Sequence, residues 1–136
     1  MPSLNFTLFI PAVENGLAEL EGRPLPNPGL RPKRQTIRKL RADGRDPKAG
    51  DVLHLYTGQR TKKCRKLGTV RCGGTCAIAI MSTGHIIHRR LGNWRVYSNE
   101  GASALASRDG FRNRHEMVAW FKVIHGLPFR GVVLRW

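Results

Sequence analysis

A mixed α/β (α+β) domain is the fold class this chain predicts, and three observations carry the prediction. Short segments in which apolar and polar residues alternate, bounded by Gly, Pro, Asn and Asp, recur along the chain and read as strands. One clear helical stripe, Met117, Trp120, Phe121 and Ile124, recurs at three- and four-residue steps, the spacing that docks a helix on a sheet. At 136 residues, 40% of them hydrophobic, the chain can bury one real core but not two, so residues 1–136 read as one domain.

Taken in order, Asn5 to Val13 is rich in Phe, Leu and Ile and predicts an opening strand. Glu14 to Gly22 has a short helical pattern, with Leu17 and Leu20 three apart. Residues 23–32 hold four prolines in ten positions. Proline fixes φ and removes a donor, so this stretch reads as an extended loop. Thr36 to Arg41 has room for a turn or two of helix before Gly44. Pro47 to Asp51 is a turn delivering the chain into a strand from Val52 to Tyr56, with Val52, Leu53 and Leu55 at or near the core. Gly68 to Met81 reads as a long strand interrupted at Gly73-Gly74. Ser82-Thr83-Gly84 is a hairpin turn, and His85 to Ser98 is further β-structure broken at Gly92-Asn93. Ser98 to Ala106 supplies caps and small residues for a short helix. Asn113 caps the clearest helix, which stops at Gly126-Leu127-Pro128, and Phe129 to Trp136 is the last strand.

Charge is the outlying property. Twenty-four Lys and Arg stand against nine Asp and Glu, a net charge of +15 and a pI of about 11.2. That excess predicts attraction to a polyanion, RNA or DNA. No apolar run approaches the roughly 18 to 20 residues that span a bilayer, so a membrane is not an expected partner. Met1 to Asn5 lacks the basic start and apolar middle of a signal peptide, which predicts a cytoplasmic protein. Three cysteines, an odd number, argue against a disulfide framework. Cys72 and Cys76 with His85 and His88 number the four ligands zinc needs, but the C-x3-C spacing is unusual and Cys76 leads into an apolar strand. No metal or other cofactor is expected, and the sequence does not specify an oligomeric state.

The densest basic stretch is Arg31 to Arg41, with six cations in eleven positions. Read as a helical turn, it would place Lys33 and Thr36 on one side, with Gln35 and Arg38 close by. Read plainly, it is a solvated loop that touches phosphates without discrimination. Arg31, Arg34 and Arg38 are nucleic-acid-binding candidates, as are Arg60, Lys62, Lys63, Arg65 and Lys66, which form either a charged hairpin tip or a second phosphate-contacting loop facing Lys33. Trp94 and Tyr97 are candidates for base stacking, but three residues apart in a strand they face opposite ways, and Trp94 has a core or lid role as its simpler reading.

The run Gln35-Thr36-Ile37-Arg38, followed by Gly50-Asp51-Val52-Leu53-His54-Leu55-Tyr56, resembles the ASCH family. Members open with G-x-K-x-x-T and continue with a Gly-Asp pair before a strand; here Lys33, Thr36, Gly50 and Asp51 stand in those places, with Arg31 where the family has glycine. The resemblance runs from about Leu8 to Trp136 and is nearest the phage and prophage branch, which continues much as Tyr56 to Gly68 does. It implies a PUA-like β-barrel with two or three peripheral helices, closed by the last strand, and an RNA- or nucleotide-binding function. In the branch that hydrolyses N4-acetylcytidine, a Lys, a Thr and a Glu form the proposed catalytic set. By motif position these are Lys33, Thr36 and Asp109, the last shorter than Glu by one methylene, with Glu116 the alternative carboxylate. The resemblance thus carries a second reading, a hydrolase acting on an N4-acylated cytidine or on RNA. A third is a phage-encoded protein that binds a host factor.

Overall fold

The computed structural model describes residues 3–136. Met1 and Pro2, the first residues of the segment read as lacking a signal peptide, lie outside the described residues. In chain order the elements are β1 (Ser3–Phe6), α1 (Ile10–Leu20), β2 (Gln35–Lys39), β3 (Val52–Thr57), β4 (Arg65–Arg71), β5 (Gly74–Ile80), β6 (Ile86–Arg90), β7 (Asn93–Val96), α2 (Asn99–Asp109), α3 (Arg114–Ile124) and β8 (Phe129–Arg135). The α+β class is the one the sequence predicts. A three-stranded sheet runs β1-β3-β4 and a five-stranded sheet runs β2-β8-β5-β6-β7. Among the described residues only β1 and β3 pair in parallel. Among the described residues neither sheet closes on itself, and β8 lies in the interior of its sheet, between β2 and β5.

Strand β8 is the element both layers share. Phe129 and Val133 join Ile37, Ile78, Ile80 and Ile86 beneath Leu105 of α2 and Met117 and Phe121 of α3. Val132 and Leu134, together with the C-terminal Trp136, pack instead on Leu4, Phe6, Leu53, Leu55 and Val70, which α1 covers with Val13 and Leu17. A strand buried on both faces needs a continuous apolar run, which Val132-Val133-Leu134 supplies. Each Val, Leu or Ile buried in this way contributes about 1.5–3 kcal/mol relative to exposure, so truncation along β8 loosens both layers.

The structure corrects several sequence expectations. Helix α1 begins at Ile10, so the predicted strand through Val13 ends at Phe6. Pro11 stands in the first turn of that helix, where its missing N–H costs nothing. Residues 35–39 form strand β2, not a helical turn; they pair with β8 from Gln35 opposite Arg135 to Lys39 opposite Gly131. Pairing with an interior strand overrides a weak local helix preference, and branched Thr36 and Ile37 suit the pleated surface. The interrupted strand expected from Gly68 to Met81 is two strands in different sheets, the chain crossing at Cys72-Gly73. On α3, Met117 and Phe121 are buried while Ile124 is exposed. Trp94 is half exposed on edge strand β7, so it is neither core nor lid, whereas Tyr97 packs beside the larger core cluster.

The turns and caps follow the sequence closely. The Ser98 hydroxyl accepts from the Gly101 N–H at 3.0 Å and the Asn113 side-chain oxygen Oδ1 accepts from the Glu116 N–H at 2.9 Å, starting α2 and α3. Cys72 is buried in the smaller-sheet cluster and Cys76 lies against the other. Among the described residues no three His, Cys, Asp or Glu side chains gather to hold a metal, and no helix is long and apolar enough to cross a membrane.

Candidate functional site

Lys33 is set in place by its backbone. Its N–H donates to the Ala12 carbonyl of α1 at 2.8 Å. One helical turn on, Gly16 lies so close that a Cβ there would stand 2.1 Å from the Lys33 carbonyl oxygen. Only glycine permits that approach. The proline-rich loop before Lys33 is tied to the same helix by Asn15, which is fully buried. Asn15 donates to the Asn27 and Leu30 carbonyls, each at 2.8 Å, and accepts from the Asn27 N–H at 2.9 Å.

Asp109 comes from the opposite side as the last residue of α2. Gly110 then leaves the helix at φ 107°, and a Cβ there would lie 2.7 Å from Phe9 Cγ. Phe9 itself is held at φ 59°, ψ 26°, a left-handed conformation that a bulky residue adopts only under tertiary constraint. Its ring meets Phe111 edge to face at 5.1 Å and lies 5.1 Å from Lys33 Nζ.

These placements bring Lys33 and Asp109 together out of water. Lys33 Nζ lies 3.3 Å from Asp109 Oδ2, with the two side chains 3% and 7% exposed. The ammonium also donates to the Asp109 backbone carbonyl. Gln35 Nε2 donates to the Leu105 carbonyl at 3.2 Å and to Asp109 Oδ1 at 3.4 Å, while Gln35 Oε1 is buried without a partner. Burial pulls the Lys33 pKa down, against the attraction of Asp109. Burial likewise pushes the Asp109 carboxyl up, against Lys33, Gln35 and Arg38. Desolvation thus draws both members of the pair toward their neutral forms.

The pair borders a cavity of about 270 Å³ that runs along β2, the edge strand of its sheet. Thr36 and Arg38 line it with Lys33 and Asp109, and Phe9, Phe111, Trp120, Phe121 and His125 supply an aromatic wall. Trp120 meets Phe121 edge to face at 4.9 Å, and Phe121 stacks on His125 at 5.6 Å. Burial and then Lys39 lower the His125 pKa, favouring the neutral ring. Arg38 lies over the Phe6 ring at 4.7 Å and donates through Nη1 to the Asn5 carbonyl at 2.8 Å; its Nε is buried and unpaired. The site therefore combines hydroxyl, amine, carboxyl and guanidinium groups beside flat apolar surfaces, at a size near the lower end of small-molecule pockets.

Lys33 and Thr36 reach this cavity by a route the sequence does not suggest. Lys33 precedes β2 and Thr36 lies within it, so they meet across a strand edge and not on one side of a helical turn. Asp109 is the facing carboxylate. Glu116 sits in the first turn of α3, 3.6 Å from Arg112, and does not line the cavity. Of the basic candidates only Arg38 joins Lys33 there. Arg31 donates to Ser107, and Arg34 donates to the Trp136 carbonyl at 2.9 Å and to Glu19 at 3.2 Å. Arg60, Lys62 and Lys63 occupy the exposed β3–β4 connection, Arg65 lies 3.7 Å from Glu14, and Lys66 Nζ lies 3.0 Å from His54 Nδ1. None of these five lines the Lys33 cavity, so the hairpin does not form its second wall. Sequence reasoning misses Phe9, Asn15, Gly16, Phe111 and His125, and reads Trp120 as core alone. The local signal was the aromatic after Asp109-Gly110, a helix end that presents its next side chain. Compared with family models, with curated proteins and with solved structures, the chain has no match.

Proposed function

We propose that this chain is an ASCH-type domain of the PUA-like β-barrel class, and that the cavity around Lys33, Thr36 and Asp109 receives a nucleobase. The base is carried by RNA, by another single-stranded nucleic acid or by a modified nucleoside. The observation that carries this reading is the buried Lys33–Asp109 pair opening on an aromatic-walled cavity. Removing such a pair from water costs several kcal/mol per ion on an order-of-magnitude scale, about what a structural contact alone does not recover. A base brings the matching chemistry. Its face stacks on Trp120 or Phe111, worth about 1–3 kcal/mol per base. Its carbonyl accepts from Lys33 or the unpaired Arg38 Nε, and its exocyclic amine donates to Asp109. The +15 charge favours a ligand with phosphates. The two sheets, packed together through β8, are compatible with an open barrel.

A second reading, hydrolysis of an N4-acylated cytidine, is favoured by the gathering of Lys33, Thr36 and Asp109 around one cavity, which sets an amine, a hydroxyl and a carboxyl where such a reaction needs them. In that reaction the Thr36 oxygen bonds to the acyl carbon and its proton passes to Lys33. The carbon–N4 bond breaks, N4 takes a proton from Asp109, and water then hydrolyses the threonine ester to release the acid.

The test is chromatographic analysis of N4-acetylcytidine and of a mixed single-stranded RNA after incubation with the wild type, Lys33→Ala and Thr36→Val, alongside quenching of Trp120 fluorescence, taken as the part of the tryptophan quenching that Trp120→Phe removes. Thr36→Val leaves the buried pair intact and so separates chemistry from folding. Turnover abolished by both substitutions establishes the hydrolase. Quenching without turnover supports the binding domain. Neither quenching nor turnover rejects both readings.

A further inference from the structure

A second cavity, of about 280 Å³, lies beside the first and is lined by Arg31, Arg34, Arg108 and Arg135, with Gln35 and Glu19 among the remaining residues. Its four guanidinium groups face a single carboxylate. Glu19 is already engaged by Arg34, and the ion pairs of the described residues include neither Arg108 nor Arg135. Arg31 and Arg34 are held in place, by Ser107 in the first case and by Glu19 and the Trp136 carbonyl in the second, so part of the cavity is pre-organised. Arg108 can answer the dipole at the C-terminus of α2. That role does not extend to Arg135, on β8, or to Arg31, in the loop before β2.

Gln35 is the second observation pointing to a ligand. It is 2% exposed, lines this cavity, and its Oε1 takes no hydrogen bond. Its Nε2 meanwhile reaches Asp109 of the first cavity. A third depression, of about 370 Å³, shares Lys33 with the first cavity and Arg31 and Arg108 with the second, so the two are neighbours along one surface.

We infer that the arginine-walled cavity is a phosphate site. We further infer that it takes a phosphate of the same ligand whose base occupies the Lys33 cavity; this second step rests on the function proposed above. Planar guanidinium groups bind phosphate oxygens in pairs of parallel hydrogen bonds, and four of them around one cavity match a phosphate or phosphodiester better than a carboxylate. Gln35 Oε1 is an acceptor for a hydroxyl on the ligand, such as that of a ribose. With the intervening depression between them, the two cavities suit a short strand better than a free nucleoside.

The experiment is calorimetric titration with inorganic pyrophosphate at fixed ionic strength. It compares the wild type, Arg108→Gln/Arg135→Gln and the hairpin variant Arg60→Gln/Lys62→Gln/Lys63→Gln. Arg108 and Arg135 are exposed, so their replacement leaves the core intact. The expected result is saturable binding weakened about tenfold or more in the arginine pair variant and less than about twofold in the hairpin variant. Equal weakening in both, or no saturable binding by the wild type, overturns the site, because overall charge then accounts for any affinity. A second titration compares cytidine with a cytidine trinucleotide. The trinucleotide should bind more tightly than cytidine, and the arginine pair variant should lose that preference while keeping its affinity for cytidine. A preference unchanged in the variant overturns the shared ligand. If cytidine and the trinucleotide both fail to bind while pyrophosphate does, the phosphate site stands and the base-binding reading falls.

Discussion

Two stretches of this chain carry cations at comparable density, six in eleven positions over residues 31–41 and five in seven over residues 60–66. In the first, pairing of β2 with β8 and the contact of Lys33 with α1 draw Lys33, Gln35 and Thr36 below a tenth exposed and set Lys33 against Asp109. In the second, the connection between β3 and β4 leaves Arg60, Lys62 and Lys63 in solvent. Charge density therefore does not distinguish a site from a solvated tip. The distinction comes from whether the backbone carrying the charges is recruited into a sheet beside a hydrophobic wall, where each charge must find a partner.

The sharpest way to break this comparison is at the buried pair. Lys33→Met should destabilise the protein by about 3–5 kcal/mol because it leaves Asp109 buried without its counter-charge. The folded-state pKa of Asp109, already raised, should rise further, so this variant's stability is present at acid pH and lost as pH climbs through the folded pKa. Asp109→Asn should show the opposite slope. With the Lys33 pKa lowered further, the folded state binds fewer protons than the unfolded one, and stability should recover as pH rises toward the ordinary lysine value. Urea unfolding across pH reads both slopes. Two parallel curves would mean that the groups do not sense each other. The double variant Lys33→Met/Asp109→Leu should regain most of the loss.

Next in size is Gly16→Ala, which does not touch the cavity. A methyl group 2.1 Å from the Lys33 carbonyl must push that backbone away, at about 1–3 kcal/mol or more, and should weaken ligand quenching of Trp120 as Lys33 shifts. Unchanged quenching would show that the position of Lys33 does not govern the cavity. The smallest effect belongs to the exposed run. Arg60→Gln/Lys62→Gln/Lys63→Gln should alter thermal stability by no more than about 0.5 kcal/mol per site. Binding of single-stranded RNA should retain most of its strength, with a shallower dependence on salt. A loss of RNA binding as complete as that in Lys33→Met would erase the distinction between the two basic regions.

Much of the chain could be read from local chemistry. Ser98 and Asn113 announce their helices because a cap needs only a side-chain oxygen and the next turn of backbone. The hairpin at Ser82-Thr83-Gly84 and the break at Gly92-Asn93 follow from residues that tolerate positive φ, seen at Gly84 and Gly92. By itself, then, the sequence determined the α+β class, most turns and caps, and the strongly cationic composition, while Lys33, Thr36 and Asp109 are grouped only through the resemblance to the ASCH family and not by their spacing. The tertiary structure alone decided that residues 35–39 are an edge strand, since that depends on β8 lying almost a hundred positions later in the chain. It also decided that α1 supplies the floor beneath Lys33 through Ala12 and Gly16, and that Phe9, Phe111, Trp120 and His125 face one cavity. Those outcomes rest on contacts between distant segments, for which neither periodicity nor spacing leaves a local trace, and they separate the buried Lys33 pair from a basic loop of similar composition.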